Sequence, residues 1–441
     1  MNNKNKLLFL ALSSILLLSC GNENRENKVT QYTIEQFMDN EFMGGGYFSH
    51  DNKNVLIHSN RSGIFNVYTI PIKGGKITPV TQSDSISFFA ESYFPNDNRM
   101  LLSADGNGDE IYHLYVINTD GTKKDITPEK GCKSEFYGWS RDDLYLYYGS
   151  NKRDPRYFDV YKMSTNDFSS EMIYKNENGL SVSEISHDEN YFVLTKYLNT
   201  SDCDLFLFDI ATKETIKINE NKSANQSQEF SKDDSKIYYT TDDNKEFSYL
   251  MWYDLKTKKR GLVRQKPWDI FGFNFSENGK YMIINVNEDG KNTIEVLDSK
   301  TGEPIDLPQI GTMNIRNISF SDNEQWLRIF AGGSNSPSDL YSYNIQTKEY
   351  YKLTDALNES INIDDLVTAK VIRFKSFDSL EIPAIYFLPH QASPKNKVPA
   401  MIYVHGGPGG QSRQNYNPLF QYMLNKGIAV LAVNNRGSSG Y

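Results

Sequence analysis

Cysteine is scarce in this 441-residue chain, and the familiar metal-binding patterns are absent. The three cysteines, Cys20, Cys132 and Cys203, lie far apart, and neither a CxxC nor an HExxH pattern occurs. Three isolated cysteines supply neither a disulfide framework nor a four-ligand zinc site. The sequence therefore predicts no metal ion and no cofactor, and it leaves Cys132 and Cys203 unpaired.

Positive charge is also in short supply. Lys and Arg total 47 against 56 Asp and Glu, which gives a formal net charge of −9. Proteins that bind a phosphate backbone neutralise it with basic side chains, so this balance argues against a nucleic-acid partner. Hydrophobic residues make up only 38% of the chain, yet 29 Tyr and 25 Phe are present. Such a composition is typical of a β-rich fold rather than of a helical bundle or a disordered chain.

A short apolar run near the N-terminus indicates export. Lys4 and Lys6 precede residues 7–18, which are apolar in the main and too few to span a bilayer, where about 20 are needed. A basic start, a short apolar stretch and small residues after it are typical of a secretory signal. Leu17-Leu18-Ser19-Cys20 also resembles a bacterial lipobox. We expect a signal peptide over residues 1–20 with lipidation at Cys20, or else ordinary signal cleavage, and a protein of the cell envelope whose only membrane contact is this lipid anchor.

A four-residue pattern recurs along the chain after a polar tether over residues 21–46. It consists of an aromatic or apolar residue, Ser, any residue, and Asp or Asn, and its second positions are 49, 95, 140, 186, 231, 276 and 321. Position 95 is proline. Strand-like runs such as Val55-Leu56-Ile57 follow each copy. Four short strands in about 45 residues is the period of a propeller blade. The sequence predicts a mostly β fold, a seven-bladed β-propeller over residues 47–354, in which His50 and His187 are solvated turn residues.

The sequence changes character after residue 354. A polar linker is expected over residues 355–370. The apolar run at 399–404 is of the kind that a buried parallel strand needs, and a helix at 419–425 leads to a second buried strand at 428–433. The order strand, glycine loop, helix, strand predicts that residues 371–441 begin an α/β domain.

Two glycine-rich motifs end these two strands. They are His405-Gly406-Gly407-Pro408 and Asn435-Arg436-Gly437-Ser438-Ser439-Gly440-Tyr441. The first is similar to the HGG-type loop of α/β-hydrolases, where a backbone N–H supplies half of an oxyanion hole. Glycine is needed there because a side chain would keep the backbone away from the substrate carbonyl oxygen. A phosphate-binding loop is the weaker interpretation, since no GKS/T or GxGxxG pattern accompanies the motif.

Together, the leader, the repeats, the segment at 376–384 and the two motifs resemble the prolyl oligopeptidase family of serine peptidases. The resemblance implies an α/β-hydrolase domain with a Ser-Asp-His triad that cleaves short peptides beneath a propeller. It implies that Gly407 donates its N–H to the oxyanion, with Gly406 as second choice because Pro408 has no N–H. His405 would brace this loop, and Arg436, Gly437 and Tyr441 would border the active site.

Three departures favour the acylaminoacyl-peptidase and bacterial oligopeptidase branch over the dipeptidyl-peptidase IV branch. His405 stands where the latter branch has a tyrosine that donates to the oxyanion. The propeller region also shows no Glu-Glu pair of the kind that holds a free amino terminus. Seven repeats rather than eight are the third departure.

No Gly-x-Ser-x-Gly nucleophile elbow occurs in the 441 residues. In the family the triad lies beyond the segment that matches residues 434–441. The resemblance therefore implies an N-terminal portion of a peptidase, truncated in its hydrolase domain and inactive by itself. Two alternatives remain: a lipid-anchored propeller that acts as a binding or assembly module, and an esterase or lipase on the same fold, which a propeller cap disfavours.

Overall fold

The computed structural model describes residues 29–106, 108–311, 313–407 and 409–441, and most of its regular structure is β-strand. Within these residues, the chain from Met43 to Lys352 forms seven antiparallel sheets, here numbered 1 to 7 in chain order. Each has four strands except sheet 6, which has three and is extended by an isolated bridge between Leu297 and Pro304. The predicted mostly β fold is confirmed. The predicted leader and Cys20 lie outside the described residues.

The bounds of the elements are as follows. Strands β1 to β27 of sheets 1 to 7 are, in chain order, Met43–Phe48, Asn54–Ser59, Asn66–Pro71, Thr78–Pro79, Phe88–Tyr93, Met100–Ala104, His113–Ile117, Lys123–Asp125, Ser134–Trp139, Tyr145–Asp154, Tyr157–Ser164, Ser170–Tyr174, Ser181–Ile185, Tyr191–Asn199, Asp202–Asp209, Thr215–Lys217, Gln226–Phe230, Lys236–Thr241, Tyr249–Asp254, Arg260–Arg264, Asp269–Phe275, Tyr281–Glu288, Lys291–Asp298, Asn314–Phe320, Trp326–Gly333, Ser336–Asn344 and Tyr350–Lys352. The later strands β28 to β31 are Lys370–Lys375, Glu381–Phe387, Ala400–Val404 and Ala429–Val433. The helices of the described residues are α1, Ile34–Met38, α2, Pro418–Asn425, and a 3₁₀ turn at Ile363–Asp365.

The recurring sequence pattern forms the turn between the first two strands of a sheet. In sheet 3, Ser140 Oγ donates to Asp142 Oδ1 at 2.6 Å and accepts from Tyr145 N at 3.0 Å. Asp143 follows with φ of 62°, a left-handed conformation that short polar residues tolerate. The same serine-to-acid bond, at 2.6 to 2.7 Å, is made by Ser49, Ser186 and Ser231.

Hydrophobic clusters fill the spaces between neighbouring sheets and close them into a ring. Leu114 of sheet 2 shares one cluster with Leu146 of sheet 3. Sheets 1 and 7 meet in another, which contains Ile57 and Leu340, both fully buried. The ring of packed sheets is that of a β-propeller, and its aromatic side chains serve largely as packing between sheets.

The last four strands form a smaller mixed sheet in the order β28-β29-β31-β30. Strands β30 and β31 are parallel and are connected through α2, whereas the other pairs are antiparallel. Helix α2 begins after Asn417, whose side chain accepts from Phe420 N, and ends before Gly427 at φ of 79°. The predicted order of strand, glycine loop, helix and strand is therefore present.

Strand β30 is exposed, although the apolar run over residues 399–404 is of the kind that suits a buried parallel strand. Ile402 and Val404 are 69% and 59% exposed, whereas Val430 of β31 is fully buried. Within the described residues β30 has β31 as its one neighbour, so one edge stays unpaired. An apolar run shows that a strand suits a core, but burial depends on a neighbouring element that covers it.

The segment before sheet 1 packs against α2 instead of forming a free polar tether. Tyr32 N donates to Asn425 Oδ1 at 3.0 Å, and Lys426 Nζ donates to Tyr32 O at 2.8 Å. Phe37 of α1 is fully buried and shares a cluster with Leu366, which lies in the predicted linker. No helix among the described residues is long and apolar enough to cross a membrane.

Candidate active site

The two glycine-rich motifs lie side by side because they follow two parallel strands. Strand β30 ends before His405 and β31 ends before Asn434, and the carboxyl ends of neighbouring parallel strands share one edge of a sheet. His405 Nε2 lies 2.8 Å from Ser438 Oγ, and that hydroxyl also donates to Asn435 O at 2.6 Å. A hydroxyl has a single proton, so Ser438 accepts from an Nε2–H of His405. This bond braces the first loop against the second.

Asn434 fastens the second motif to the segment that follows the first. Its side chain is 1% exposed; Oδ1 accepts from Ser412 N at 2.7 Å and Nδ2 donates to Ser412 O at 3.0 Å. Ser439 N donates to Gly410 O at 3.1 Å. These backbone and side-chain amide bonds fix the position of the second motif relative to the segment after the first.

The predicted oxyanion residues present their backbone to solvent. Gly406 and Gly407 are exposed, and Gly407 has φ of 62°, which favours glycine. Among the described residues, neither of their N–H groups donates to a protein acceptor. Gly410 is required by close approach, because a Cβ there would lie 2.5 Å from Gly406 O. Two N–H groups without acceptors, on a loop fixed by side-chain bonds, have the chemistry that stabilises an oxyanion.

The three residues predicted to border the site have different surroundings. Arg436 is exposed, pairs with the carboxylate of Asp378 and lies 5.2 Å over the ring of Phe377. This ion pair holds the pKa of Asp378 below its usual range. Gly437 is exposed. Tyr441 faces the propeller, where its ring meets Trp268 edge-on at 5.9 Å, and burial raises its pKa.

A cavity of about 1090 Å³ separates this loop cluster from the propeller. Its lining includes, from the C-terminal segment, Gly409, Gln411, Arg413 and Ser439, and from sheets 6 and 7, Asp269, Asn287, Lys291, Asn292 and Arg316. Gly406 and Gly407 do not belong to this lining. Among the described residues, no three His, Cys, Asp or Glu side chains are grouped so as to hold a metal ion.

Several of these site residues could not be singled out from the sequence. Ser438 lies within the second motif and Asn434 directly before it. Their polar side chains indicated hydrogen bonding, but the sequence did not indicate their partners. Arg316 and Arg413 carry no such signal, because they lie far apart in the chain and meet only through the packing of the C-terminal segment on sheets 6 and 7.

Comparison with known proteins identifies the class of this fold. The family model described as "Prolyl oligopeptidase, N-terminal beta-propeller domain" matches residues 81–356. The chain is 24% identical over 407 residues to Dipeptidyl aminopeptidase BIII of Pseudoxanthomonas mexicana, a match that covers 86% of this chain and 57% of that protein. It is 28% identical over 127 residues to Uncharacterized peptidase YuxL of Bacillus subtilis, covering 29% of this chain and 19% of that protein.

Solved structures show the same fold at low identity. A puromycin-hydrolysing peptidase of Mycobacterium tuberculosis matches with a TM-score of 0.74 and 13% identity, covering 94% of this chain and 69% of that one. A prolyl endopeptidase matches with a TM-score of 0.71 and 13% identity, covering 92% and 63%. The molecule is thus a propeller protein of a peptidase class. The chain belongs to the prolyl oligopeptidase family, as the resemblance implied, and it spans 57% of the length of the dipeptidyl aminopeptidase that it matches.

Proposed function

We propose that this chain is part of a serine-type peptidase that hydrolyses short peptides by acyl transfer. The observation that carries the proposal is the glycine loop at the end of β30. There the N–H groups of Gly406 and Gly407 have no acceptor among the described residues, while His405 is bonded to Ser438 at 2.8 Å. The loop cluster adjoins a cavity of about 1090 Å³ beside a propeller, the size of site that takes a small ligand.

In the proposed reaction, a serine hydroxyl attacks the peptide carbonyl while a histidine accepts its proton. The carbonyl oxygen becomes an oxyanion, which the N–H of Gly407, or of Gly406, stabilises. The histidine then protonates the leaving amine, and water releases the acyl group by the same steps in reverse. Loss of one oxyanion donor typically costs about 10²–10³ in rate, so the loop contributes to catalysis but does not replace the nucleophile.

In this proposal the triad lies outside these 441 residues, because no Gly-x-Ser-x-Gly pattern occurs in them. The seven sheets would be the blades of a propeller that restricts access to slender peptides. Membership of the acylaminoacyl-peptidase branch stays a prediction, since one matched relative is a dipeptidyl aminopeptidase.

We also propose that the protein is exported to the cell envelope and lipid-anchored at Cys20. The support is the sequence alone: a basic start, an apolar run over residues 7–18 and the lipobox-like Leu17-Leu18-Ser19-Cys20. Metabolic labelling with a fatty-acid analogue tests this, and a C20A variant that labels as strongly as the parent contradicts it.

The peptidase proposal is tested by expressing the complete natural reading frame that contains this chain, next to the 441-residue chain itself. Both are offered fluorogenic short peptides and a model ester, with and without a serine-reactive phosphonate. We expect phosphonate-sensitive peptide hydrolysis from the complete frame and none from the 441 residues. Phosphonate-sensitive turnover by the 441 residues contradicts the placement of the triad. No hydrolysis by the complete frame favours the binding-module interpretation, and ester hydrolysis alone favours an esterase.

A further inference from the structure

The cavity between the propeller and the loop cluster carries positive charge, although the chain as a whole is acidic. Arg316, Arg413 and Lys291 line it, and Asp269 is the one acidic residue of its lining. The chain has a formal net charge of −9. The charged residues of the cavity lining are therefore mostly positive, whereas the protein as a whole is negative.

The two arginines are bonded only to neutral groups among the described residues. Arg413 Nη1 donates to Asn287 Oδ1 at 3.0 Å and to Gln411 Oε1 at 2.7 Å, while its Nη2 donates to Asn292 Oδ1. Arg316 Nη2 donates to the carbonyl oxygen of Gly333 at 3.2 Å. In the part of the chain that the structure describes, the ion pairs run from Lys53–Asp51 to Arg436–Asp378 and include neither arginine.

This arrangement leaves charge uncompensated in a half-buried position. Burial lowers the pKa of both arginines, and the charge of Arg413 lowers the pKa of Arg316 further. Two neighbouring guanidinium groups without a counter-ion repel each other, and burial removes part of their hydration. An anion that enters the cavity offsets both the repulsion and the lost hydration. Asn292 bonds to both residues, because its Oδ1 accepts from the Arg413 guanidinium and its Nδ2 donates to the backbone oxygen of Arg316 at 3.1 Å.

Other groups at the cavity fit an anionic ligand rather than a cationic one. Gln411 Nε2 is buried without a hydrogen-bond partner among the described residues, so a donor stands unused beside Arg413. Asp269 is already occupied, since one of its oxygens accepts from Ser248 N at 2.8 Å. Burial also raises the pKa of Asp269, which disfavours its charge. The charged groups that line this part of the cavity are therefore positive in sum.

We propose that Arg316, with Arg413 and Lys291 beside it, binds a carboxylate of the peptide substrate, and this rests on the proposed peptidase function. A planar guanidinium matches a carboxylate with two parallel hydrogen bonds. The carboxylate is either the C-terminus of the peptide or the side chain of an Asp or Glu residue. In both cases the site prefers a peptide that carries this carboxylate over one that lacks it.

The test measures peptide binding to the intact 441-residue chain by calorimetry. Three tetrapeptides of equal length are compared: one neutral and amidated, one neutral with a free C-terminus, and one amidated with a single Glu. We expect one or both carboxylate peptides to bind at least about tenfold tighter than the neutral one, the strength of one charge-assisted contact. The identity of the tighter peptide assigns the carboxylate to the C-terminus or to the side chain.

Arg316→Gln should remove this preference by weakening the binding of the carboxylate peptide about tenfold. Arg156→Gln is the matched control, because it removes one positive charge from an exposed pair with Asp154 and should change nothing. Thermal unfolding confirms that both variants fold, and Lys291→Gln should weaken the preference if Arg316→Gln does not fold. Equal binding of all three peptides, or a preference that survives Arg316→Gln, overturns the carboxylate site but leaves the peptidase proposal standing. If no peptide binds, the carboxylate site is overturned, whereas the proposed peptidase function is decided by the activity of the complete reading frame.

Discussion

The Nε2 of His405 lies 2.8 Å from the hydroxyl of Ser438, and this bond joins two glycine-rich loops that are far apart in the sequence. Ser438 is buried, and its hydroxyl donates a hydrogen bond to Asn435 O at 2.6 Å. The Nδ1 of His405 lies farther from its neighbour, 3.3 Å from Gly406 O, so the shorter bond to Ser438 favours the imidazole tautomer protonated at Nε2.

Removal of the Ser438 hydroxyl should release His405. In ¹⁵N-labelled protein, long-range proton–nitrogen spectra should show His405 as the Nε2–H tautomer, and Ser438→Ala should lose that preference. We expect a cost of about 1 kcal/mol in unfolding free energy, the usual value of one hydrogen bond. Ser439→Ala serves as control because its hydroxyl contacts Gly409 O instead. An Nδ1–H tautomer in the parent protein contradicts this prediction.

Asn434, directly before the second motif, should matter more to stability than any side chain within that motif. Asn434→Ala leaves both Ser412 N–H and Ser412 O without their partners in a buried place, and each such group costs about 1–3 kcal/mol. We expect a loss of about 2–4 kcal/mol in urea unfolding. Asn435→Ala, at the exposed neighbouring position, should cost less than about 0.5 kcal/mol. Similar losses for the two variants would show that the Asn434 bonds do not hold the loops.

The serine of a repeat turn should contribute moderately to propeller stability. Ser140→Ala removes the bonds to Asp142 and Tyr145 N, and we expect unfolding free energy to fall by about 1–2 kcal/mol. The loss is bounded because the backbone bond from Ser140 N to Tyr145 O at 2.9 Å does not need the side chain, and sheet 2 closes its turn with a bond from Phe94 N to Arg99 O at 2.9 Å without a serine. Ser85→Ala, at an exposed loop position, is the control. No difference between the two would assign the turn geometry to the acidic residue alone.

Glu184 should make stability fall as pH rises. It lines a second propeller cavity, and burial, with a smaller effect of the Glu229 charge, raises its pKa well above the usual value. Between the unfolded pKa and the raised folded pKa, the native state binds more protons, so stability is highest below that window and declines through it. Glu184→Gln should raise the melting temperature by about 1–3 °C at pH 8 and change little at pH 4. Glu171→Gln, an exposed control, should show no pH-dependent difference, and an equal effect of Glu184→Gln at both pH values refutes the prediction.

The sheets were predictable because their signal is local. The Ser-x-Asp turn is formed by bonds between residues two to five positions apart, such as Ser140 with Asp142 and Tyr145, so it survives as a pattern in the chain. The apolar run of β30 predicted a strand, but the run by itself does not show whether another element covers that strand.

The site was predictable only in part. Glycines at the end of a strand indicate a tight loop. The sequence therefore indicated the positive φ of Gly407 and the close approach at Gly410. The partner of His405 and the pairing of Arg316 with Arg413 arise from contacts between distant segments, and no spacing rule encodes them.

The contact between the N-terminal segment and α2 has a consequence for the order of synthesis. Tyr32 and Asn425 are 393 positions apart, and ribosomes add roughly 5–20 residues per second, so about 20–80 s separate the emergence of the two partners. Phe37, fully buried in the folded chain, stays exposed at least until Ile361 and Leu366, its partners in the cluster, have been synthesised. Helix α1 therefore docks on α2 well after its own synthesis.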